Sequence, residues 1–436
     1  MSPAIQDFLV WSVLAIILVA VARGHPRFEL IAIAGVLMIG LTGLVPQATM
    51  LAGFGHPALA TIVSLYVVGQ AITDTGLLTG LGTALEHRLK SHHRQVLGLS
   101  MVAAGLSAFM NNIGALSALL PTASRMAERA DIPQGRYGLP ISMAAILGGT
   151  MTLVGSAPTV IVSGYRTLNS GQPFRMFDYL PHGAAILASG VVVWMIWGRR
   201  LLRAGLGSPQ RQAPTGGVST AAAVESRTEH DQYGPVFAPF ATSRRRLCLL
   251  IFGTAIFATT SGFAPPSIGF GLAAVLLVLA GVIDAGKAYG AIDLHVVLFL
   301  GSMLSMGRIM EATGTLARLT AAIGPVAASL PRFGLLGMLF GISCILGNVL
   351  NNAASAAVMA PLALQLSAAG VAASCDAMLM AVVAGACLAI ILPTHQAVLL
   401  GMSKTGFTAQ QLRAAGWRVV LFGGLAAVTV IERVWR

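Results

Sequence analysis

The segments WSVLAIILVAVA (11–22) and GAAILASGVVVWMIW (183–197) carry no charged residue, and runs of this kind recur along the whole chain. A helix needs about 20 mostly apolar residues to cross a bilayer, because every backbone N–H and C=O must be satisfied within the segment. A chain built from such runs folds in the membrane. Its charged fraction is 10% and its hydrophobic fraction 56%, against about 25% charged residues in an ordinary soluble domain. A transmembrane barrel would show short alternating segments instead. The expected class is therefore an all-α polytopic membrane protein.

The apolar runs predict ten spans and two shorter hairpins. Spans are expected near 5–23, 28–46 and 57–85, with a hairpin at 95–128, an interrupted span at 138–168 and a further span at 179–199. The order then repeats, with spans near 246–263, 266–283 and 292–323, a hairpin at 333–369, an interrupted span at 376–404 and a last span at 413–432. Between the halves, 203–246 contains GSPQRQAPTGG and ESRTEHDQ. That composition cannot bury a core and predicts a flexible linker. The expected domains are a first membrane repeat, 1–202, the linker, and a second repeat, 247–436.

The formal charge of +12 raises the question of nucleic acid, but the basic residues fall in loops between spans and no basic fold motif is present. The positive-inside rule accounts for them. With 86–94 (EHRLKSHHR) cytoplasmic, alternation puts 20 of the 27 Lys and Arg on that side, counting Arg418. This orientation makes the linker cytoplasmic, puts both termini outside and suits a bacterial-type inner membrane. The first span lacks a basic flank before it and contains Asp7, so it reads as a retained helix rather than a signal peptide. Cys248, Cys344, Cys375 and Cys387 have no metal-ligand spacing and read as small apolar fillers.

The two halves are copies of one another. LSAFMNNIGALSALLP (106–121) matches LGNVLNNAASAAVMAP (346–361), each with an Asn-Asn pair ahead of a proline. Thr75-Gly76 in YVVGQAITDTG matches Thr313-Gly314 in MGRIMEATG, and VGSAPTV (154–160) matches LPTHQAV (392–398). The offsets lie between 238 and 240 residues. Each half holds an odd number of spans, five, plus a hairpin, so the second half inserts upside down. Inverted repeats of this kind are typical of secondary transporters, whose sites lie near the midplane at broken helices.

The chemistry at such interruptions is specific. Irregular backbone is tolerated at membrane depth only when buried in protein or lining a wet cavity. A hairpin tip or helix break offers free N–H groups and the positive end of a helix dipole to an anion. Freed carbonyls and amide oxygens can hold a small cation. Asparagine has both a donor and an acceptor, so one side chain can serve both. A lone membrane asparagine is often only packing glue; two pairs at matching positions favour a site.

These residues resemble the divalent anion:sodium symporter family, a citrate-transporter-like group of permeases in the ion-transporter superfamily. That family carries a Ser-Asn-Thr motif at each hairpin tip and a Gly-Thr-Pro-Pro-Asn-like break in each repeat. Here the tips read Asn111-Asn112-Ile113 and Asn351-Asn352-Ala353, and the breaks Gly155-Ser156-Ala157-Pro158-Thr159 and Thr394-His395-Gln396-Ala397-Val398. LGGTMTLVG (147–155) is also family-like. The resemblance implies a substrate site at Asn111, Asn112, Asn351, Asn352, Ser156, Pro158 and Thr159. His395, beside Gln396 at the second break, is a candidate by its repeat position, to hydrogen-bond an anion or relay a proton, the alternative being a structural histidine that caps a helix end. The resemblance implies Na⁺ contacts at Ser107, Asn111, Asn112, Gly155, Gly347, Asn352 and Thr394, with Gly347 offering only backbone. It further implies a homodimer, an elevator-like motion, Na⁺ as coupling ion and no other cofactor. The third tip position has lost its hydroxyl twice, to Ile113 and Ala353. Family hydroxyls there hold substrate carboxylates, so a sulfate-like oxyanion is at least as plausible as a di- or tricarboxylate.

Asp74, Arg308 and Glu311 are intramembrane charges and functional candidates on that ground, although Arg308 and Glu311, at i and i+3, can simply pair. The reading that follows is a Na⁺-coupled secondary transporter of a small anion. The alternatives are a cation/proton antiporter or metalloid exporter of the same superfamily and, remotely, a membrane-embedded enzyme. The last lacks any H-E-x-x-H, G-x-S-x-G or paired intramembrane carboxylates.

Overall fold

A computed structural model describes residues 2–75, 91–203, 242–371 and 373–436. Nineteen helices run through these residues. In the first half they are α1 Pro3–Ala22, α2 Phe28–Leu41, α3 Gln47–Leu51, α4 Pro57–Asp74, α5 His92–Ser107, α6 Asn112–Arg129, α7 Gly135–Gly148, α8 Ala157–Ser170 and α9 Leu180–Arg203. In the second they are α10 Thr242–Thr260, α11 Pro266–Leu279, α12 Ala285–Gly290, α13 Leu294–Ala312, α14 Thr315–Ser329, α15 Arg332–Val349, α16 Asn352–Ala368, α17 Cys375–Cys387, α18 Gln396–Thr405 and α19 Ala409–Val434. Six of these helices are long and apolar enough to cross a membrane unaided. The chain is an all-α polytopic membrane protein.

Both expected hairpins are present, α5–α6 and α15–α16, with their turns at the Asn-Asn pairs. Both interrupted spans are broken, α7–α8 over residues 149–156 and α17–α18 over residues 388–395. Pro121 and Pro361 lie inside α6 and α16; neighbouring helices can compensate the lost backbone bond in a membrane protein. Two expectations need correction. The expected span 292–323 is two helices, because Gly314 leaves α13 with φ +72° before α14 begins, a conformation glycine adopts without steric cost. The linker expected over 203–246 is already helical from Thr242, and residues 204–241 lie outside the described ones. So do residues 76–90, with Gly76 and most of EHRLKSHHR.

The helices pair in matched sets across the two halves. α4 packs on α11 as α13 packs on α2, and α1 packs on α2 as α10 packs on α11. α5 packs on α7 as α15 packs on α17, and α16 meets α8 as α6 meets α18. α9 and α19, the last helix of each half, pack on each other. The packing pattern of the first half thus recurs in the second.

The first halves of the broken helices are the most enclosed elements. Residues 137–148 of α7 and 377–387 of α17 are buried at every position. Their sequences are small or apolar on all faces, which suits a helix with no solvent or lipid side. Close approach does the rest: a Cβ on Gly385 would collide with the Phe340 carbonyl of α15, and one on Gly148 with the Ala104 backbone of α5. Each broken helix is thereby pressed against its own hairpin.

One ion pair ties the broken helices to each other. Arg166 of α8 donates two hydrogen bonds to the Asp376 carboxylate of α17, at 2.8 and 2.9 Å. Its guanidinium also lies 4.5 Å from the Phe174 ring centroid. Removing one member of such a pair leaves the other charge without its partner, whereas replacing both with apolar groups does not. Asp376→Ala is expected to lower the melting midpoint in detergent, and Arg166→Met with Asp376→Leu to recover most of the loss. A double variant as unstable as the single one would assign the effect to packing instead.

Candidate functional site

The two residues of each Asn-Asn pair do different work. The first is a helix cap. Asn111 Oδ1 accepts from Ile113 N at 3.2 Å at the start of α6, and Asn351 Oδ1 accepts from Ala354 N at 2.7 Å at the start of α16. Asparagine is favoured there because its side chain satisfies an N–H that the helix cannot. The second residue points toward the other repeat. Asn112 Nδ2 lies 3.5 Å from His395 Nε2, and Asn352 Nδ2 lies 3.4 Å from the same atom. His395 therefore bridges the two hairpin tips, 283 residues from one asparagine and 43 from the other.

His395 itself caps α18, its Nδ1 accepting from Ala397 N at 3.2 Å. A neutral imidazole with Nδ1 as acceptor carries its proton on Nε2. The asparagine amides are oriented by their other ends. Asn112 Oδ1 accepts from Ser107 Oγ at 2.5 Å, and Asn352 Oδ1 accepts from Ala353 N at 2.8 Å. With this tautomer three N–H donors, from Asn112, Asn352 and His395, face one another, and among the described residues no other acceptor is hydrogen-bonded to the two amide nitrogens. Donors arranged in this way lack partners until an acceptor arrives, and an oxyanion supplies several. The helices α6, α16 and α18 all begin at this point, and their dipoles favour negative charge there.

A second feature lies on the oxygen side of Asn112. A Cβ added to Gly149 would lie 2.6 Å from Asn112 Oδ1 and 2.9 Å from the Gly155 carbonyl oxygen. One added to Gly155 would lie 2.6 Å from the Gly149 carbonyl oxygen and 2.9 Å from that of Ser107. Two glycines thus open a cradle walled by oxygens between the first tip and the first break. The Gly149 Cα also borders it, 2.9 Å from a Cβ on Gly155; the oxygens are the kind of ligand that suits a hard cation such as Na⁺.

The other sequence candidates stand apart from this centre. Ser156 precedes α8 in the position that His395 holds at α18, but makes no side-chain capping bond, and its Oγ lies 3.6 Å from Cys387 Sγ. Pro158 is buried in the first turn of α8. The Thr159 hydroxyl is turned away, donating to the Leu153 carbonyl at 2.7 Å. Gln396 is exposed. Thr394 Oγ1 donates to the Asn348 carbonyl at 3.2 Å, and Gly347 packs against the Ala386 carbonyl. Arg308 and Glu311 pair at 3.4 Å, and Asp74 accepts from Gln70 at 2.7 Å and lies 4.0 Å from Lys287.

Two residues that hold the breaks in place were not singled out by sequence. Asn348 is buried in α15; its Oδ1 accepts from Ile391 N at 2.8 Å and Leu392 N at 3.1 Å, its Nδ2 donating to the Cys344 carbonyl at 2.9 Å. In the first repeat the buried Thr152 hydroxyl of the break donates to the Ala108 carbonyl of the hairpin. Ala108 and Asn348 occupy matching positions, so each repeat makes the same tie from opposite sides. The extra amide in LGNVLNN, absent from LSAFMNN, is the signal that marks Asn348.

Comparison with known proteins gives this geometry a family. Uncharacterized transporter YfbS of Escherichia coli (strain K12) is 29% identical over 210 residues, 48% of this chain and 34% of that protein. Sodium/sulfate cotransporter 1 of Chlamydomonas reinhardtii is 29% identical over 162 residues, 36% of this chain and 18% of that protein. The matched region thus spans about a third or less of these relatives' lengths. The crystal structure of the YdaH transporter of Alcanivorax borkumensis superposes with a TM-score of 0.57, covering 91% of this chain and 87% of that one at 13% identity. That likeness is one of fold. The family model described as Citrate transporter matches residues 13–385. With most of its length matched, the chain belongs to the Citrate transporter family, a family of membrane transporters in the ion-transporter superfamily.

Proposed function

We propose that this protein is a secondary transporter that couples a small, fully deprotonated oxyanion such as sulfate to Na⁺. The observation that carries the reading is the convergence of Asn112 Nδ2, Asn352 Nδ2 and the Nε2–H of His395 on one point. Each half of the chain contributes to it, so the anion is held where the two repeats meet. A site made of donors selects against ligands that must themselves donate. Sulfate has only acceptors, whereas hydrogen phosphate carries an O–H that would face another donor. A mismatch of this kind is among the strongest sources of specificity, because it leaves a buried polar group unpaired.

Na⁺ is cargo in this reading, held by Asn112 Oδ1, Ser107 and the Gly149 and Gly155 carbonyls. The sodium/sulfate relative supports both the ion and the anion. The resemblance gives the tip hydroxyls to substrate carboxylates, and their absence at Ile113 and Ala353 weighs against a carboxylate substrate. Loaded with both ions, the body formed by the hairpins and broken helices moves against the remaining helices in an elevator-like step, within a homodimer. The basic loops put the cytoplasm on the side of 23–27, 125–136 and 404–413, with both termini outside an inner membrane.

Three measurements test this. Proteoliposomes containing the protein are expected to accumulate labelled sulfate only with an inward Na⁺ gradient; accumulation indifferent to Na⁺ would remove the coupling. Selenate is expected to compete with sulfate and hydrogen phosphate to compete poorly, and equal competition would refute the donor-only site. His395→Ala and Asn352→Ala are each expected to cut uptake by about tenfold or more, the scale of one lost charge-assisted hydrogen bond. Asn351→Ser, which keeps the cap, is expected to retain most of it. The contrast between the two adjacent asparagines separates a binding role from a folding one.

A further inference from the structure

The two repeats match closely in sequence and packing, yet their breaks differ at every position that forms the cradle beside Asn112. The helix ends set the correspondence: the break at 149–156 answers the break at 388–395. Gly149 therefore answers to Leu388, and Gly155 to Thr394. Both glycines are replaced by residues with a Cβ, where a Cβ in the first repeat would collide with oxygens. Ser107, whose hydroxyl reaches Asn112, answers to Gly347, which has no side chain and packs against the Ala386 carbonyl.

The remaining oxygens of the second repeat are already engaged. The Leu388 carbonyl, counterpart of the Gly149 carbonyl, accepts from Asn348 Nδ2 at 3.4 Å and from Cys344 Sγ at 3.5 Å. Asn352 Oδ1, counterpart of Asn112 Oδ1, accepts from Ala353 N. A cation needs oxygens with free lone pairs. In the first repeat two glycines stand beside Asn112 Oδ1, which accepts from the Ser107 hydroxyl; the second repeat carries the side chains of Leu388 and Thr394 at those positions, and two donors point at the Leu388 carbonyl.

We propose that this protein binds a single coupling cation per chain, in the first repeat, and that the second repeat has a hydrogen-bonded plug centred on Asn348 where repeat symmetry would put another. The proposal rests on the Na⁺-coupled reading above and narrows it: Gly347, Asn352 and Thr394 hold no Na⁺. A single Na⁺ accompanying a divalent oxyanion leaves the loaded carrier net negative. The second break then needs no ion to keep its shape, because Asn348 holds it in the presence and absence of substrate.

The test is equilibrium binding of radioactive ²²Na⁺ to the purified full-length chain in detergent, counted per chain and followed in parallel by the shift of the melting midpoint with Na⁺ concentration. The expected result is one Na⁺ per chain with a hyperbolic dependence. Ser107→Ala is expected to weaken half-saturation about tenfold, and Thr394→Val to change it less than about twofold, on the scale of one lost ligand against none. Gly155→Ala, which puts a methyl into the cradle, is expected to abolish binding; Ser107→Ala carries the test if that variant does not fold. Two Na⁺ per chain, a cooperative dependence, a larger effect of Thr394→Val than of Ser107→Ala, or no binding to the wild type would each overturn the proposal. Absence of sulfate uptake with one Na⁺ still bound would instead remove the oxyanion reading and leave the single cation standing.

Discussion

Two stretches of eight non-helical residues, 149–156 and 388–395, follow helix segments that are buried on every side. An unpaired backbone group in such a place costs about 1–3 kcal/mol, and lipid offers it no partner. The rest of the centre is arranged to meet that demand. Thr152 ties the first break to its hairpin, Asn348 ties the second, and Tyr179 Oη donates to the Thr159 carbonyl at 2.8 Å just beyond the first break. Only because these side chains satisfy the broken backbone can the polar groups of the tips be left free to face a ligand. The glycines that let α5 and α15 press against α7 and α17 serve the same end, since contact at backbone distance leaves no room for lipid or a competing side chain.

Duplication explains why so much of this was legible in the sequence. The Asn-Asn tips and the two breaks appear twice at nearly constant offset, and a polar interruption that is repeated is hard to attribute to packing alone. His395 was legible for the same reason, because it lies in the second break. What the repeat could not reveal is how each copy departs from the other. Asn348 answers to Ala108, so a comparison that looks for matches passes over it. The division of labour within each asparagine pair was hidden too, because both residues have the same side chain and only the helix start decides which one caps. Thr159 lies in a family-like motif, yet its hydroxyl satisfies the break. The division of 292–323 at Gly314 turns on one backbone angle, and the Thr-Gly pair was read as a repeat marker rather than as a helix end. The pairing of α4 with α11 and of α13 with α2 is a long-range packing choice that no local pattern encodes.

The asymmetry between the breaks also gives the tips distinct tasks. Asn352 is held by its own backbone neighbour, Ala353 N donating to its Oδ1 at 2.8 Å. Asn112 is held by the Ser107 hydroxyl and stands at the edge of the cradle. One tip is fixed, and the other depends on what the cradle contains.

In the proposed Na⁺-coupled reading, that dependence supplies a route to coupling, and each step of the route belongs to that reading. A carboxamide is planar, so fixing its oxygen fixes its nitrogen. A cation drawn to Asn112 Oδ1 holds Nδ2 toward His395, where the anion is received; an anion at Nδ2 holds Oδ1 toward the cation. Either ion removes rotational freedom that the second would otherwise have to remove, and the effect is reciprocal, as linkage requires. The two charges also sit on opposite sides of one small group, close enough to attract through a medium of low dielectric. In the proposed reading, a single asparagine from one hairpin and a single histidine from the opposite break therefore account for why neither ion should bind as well alone as with its partner.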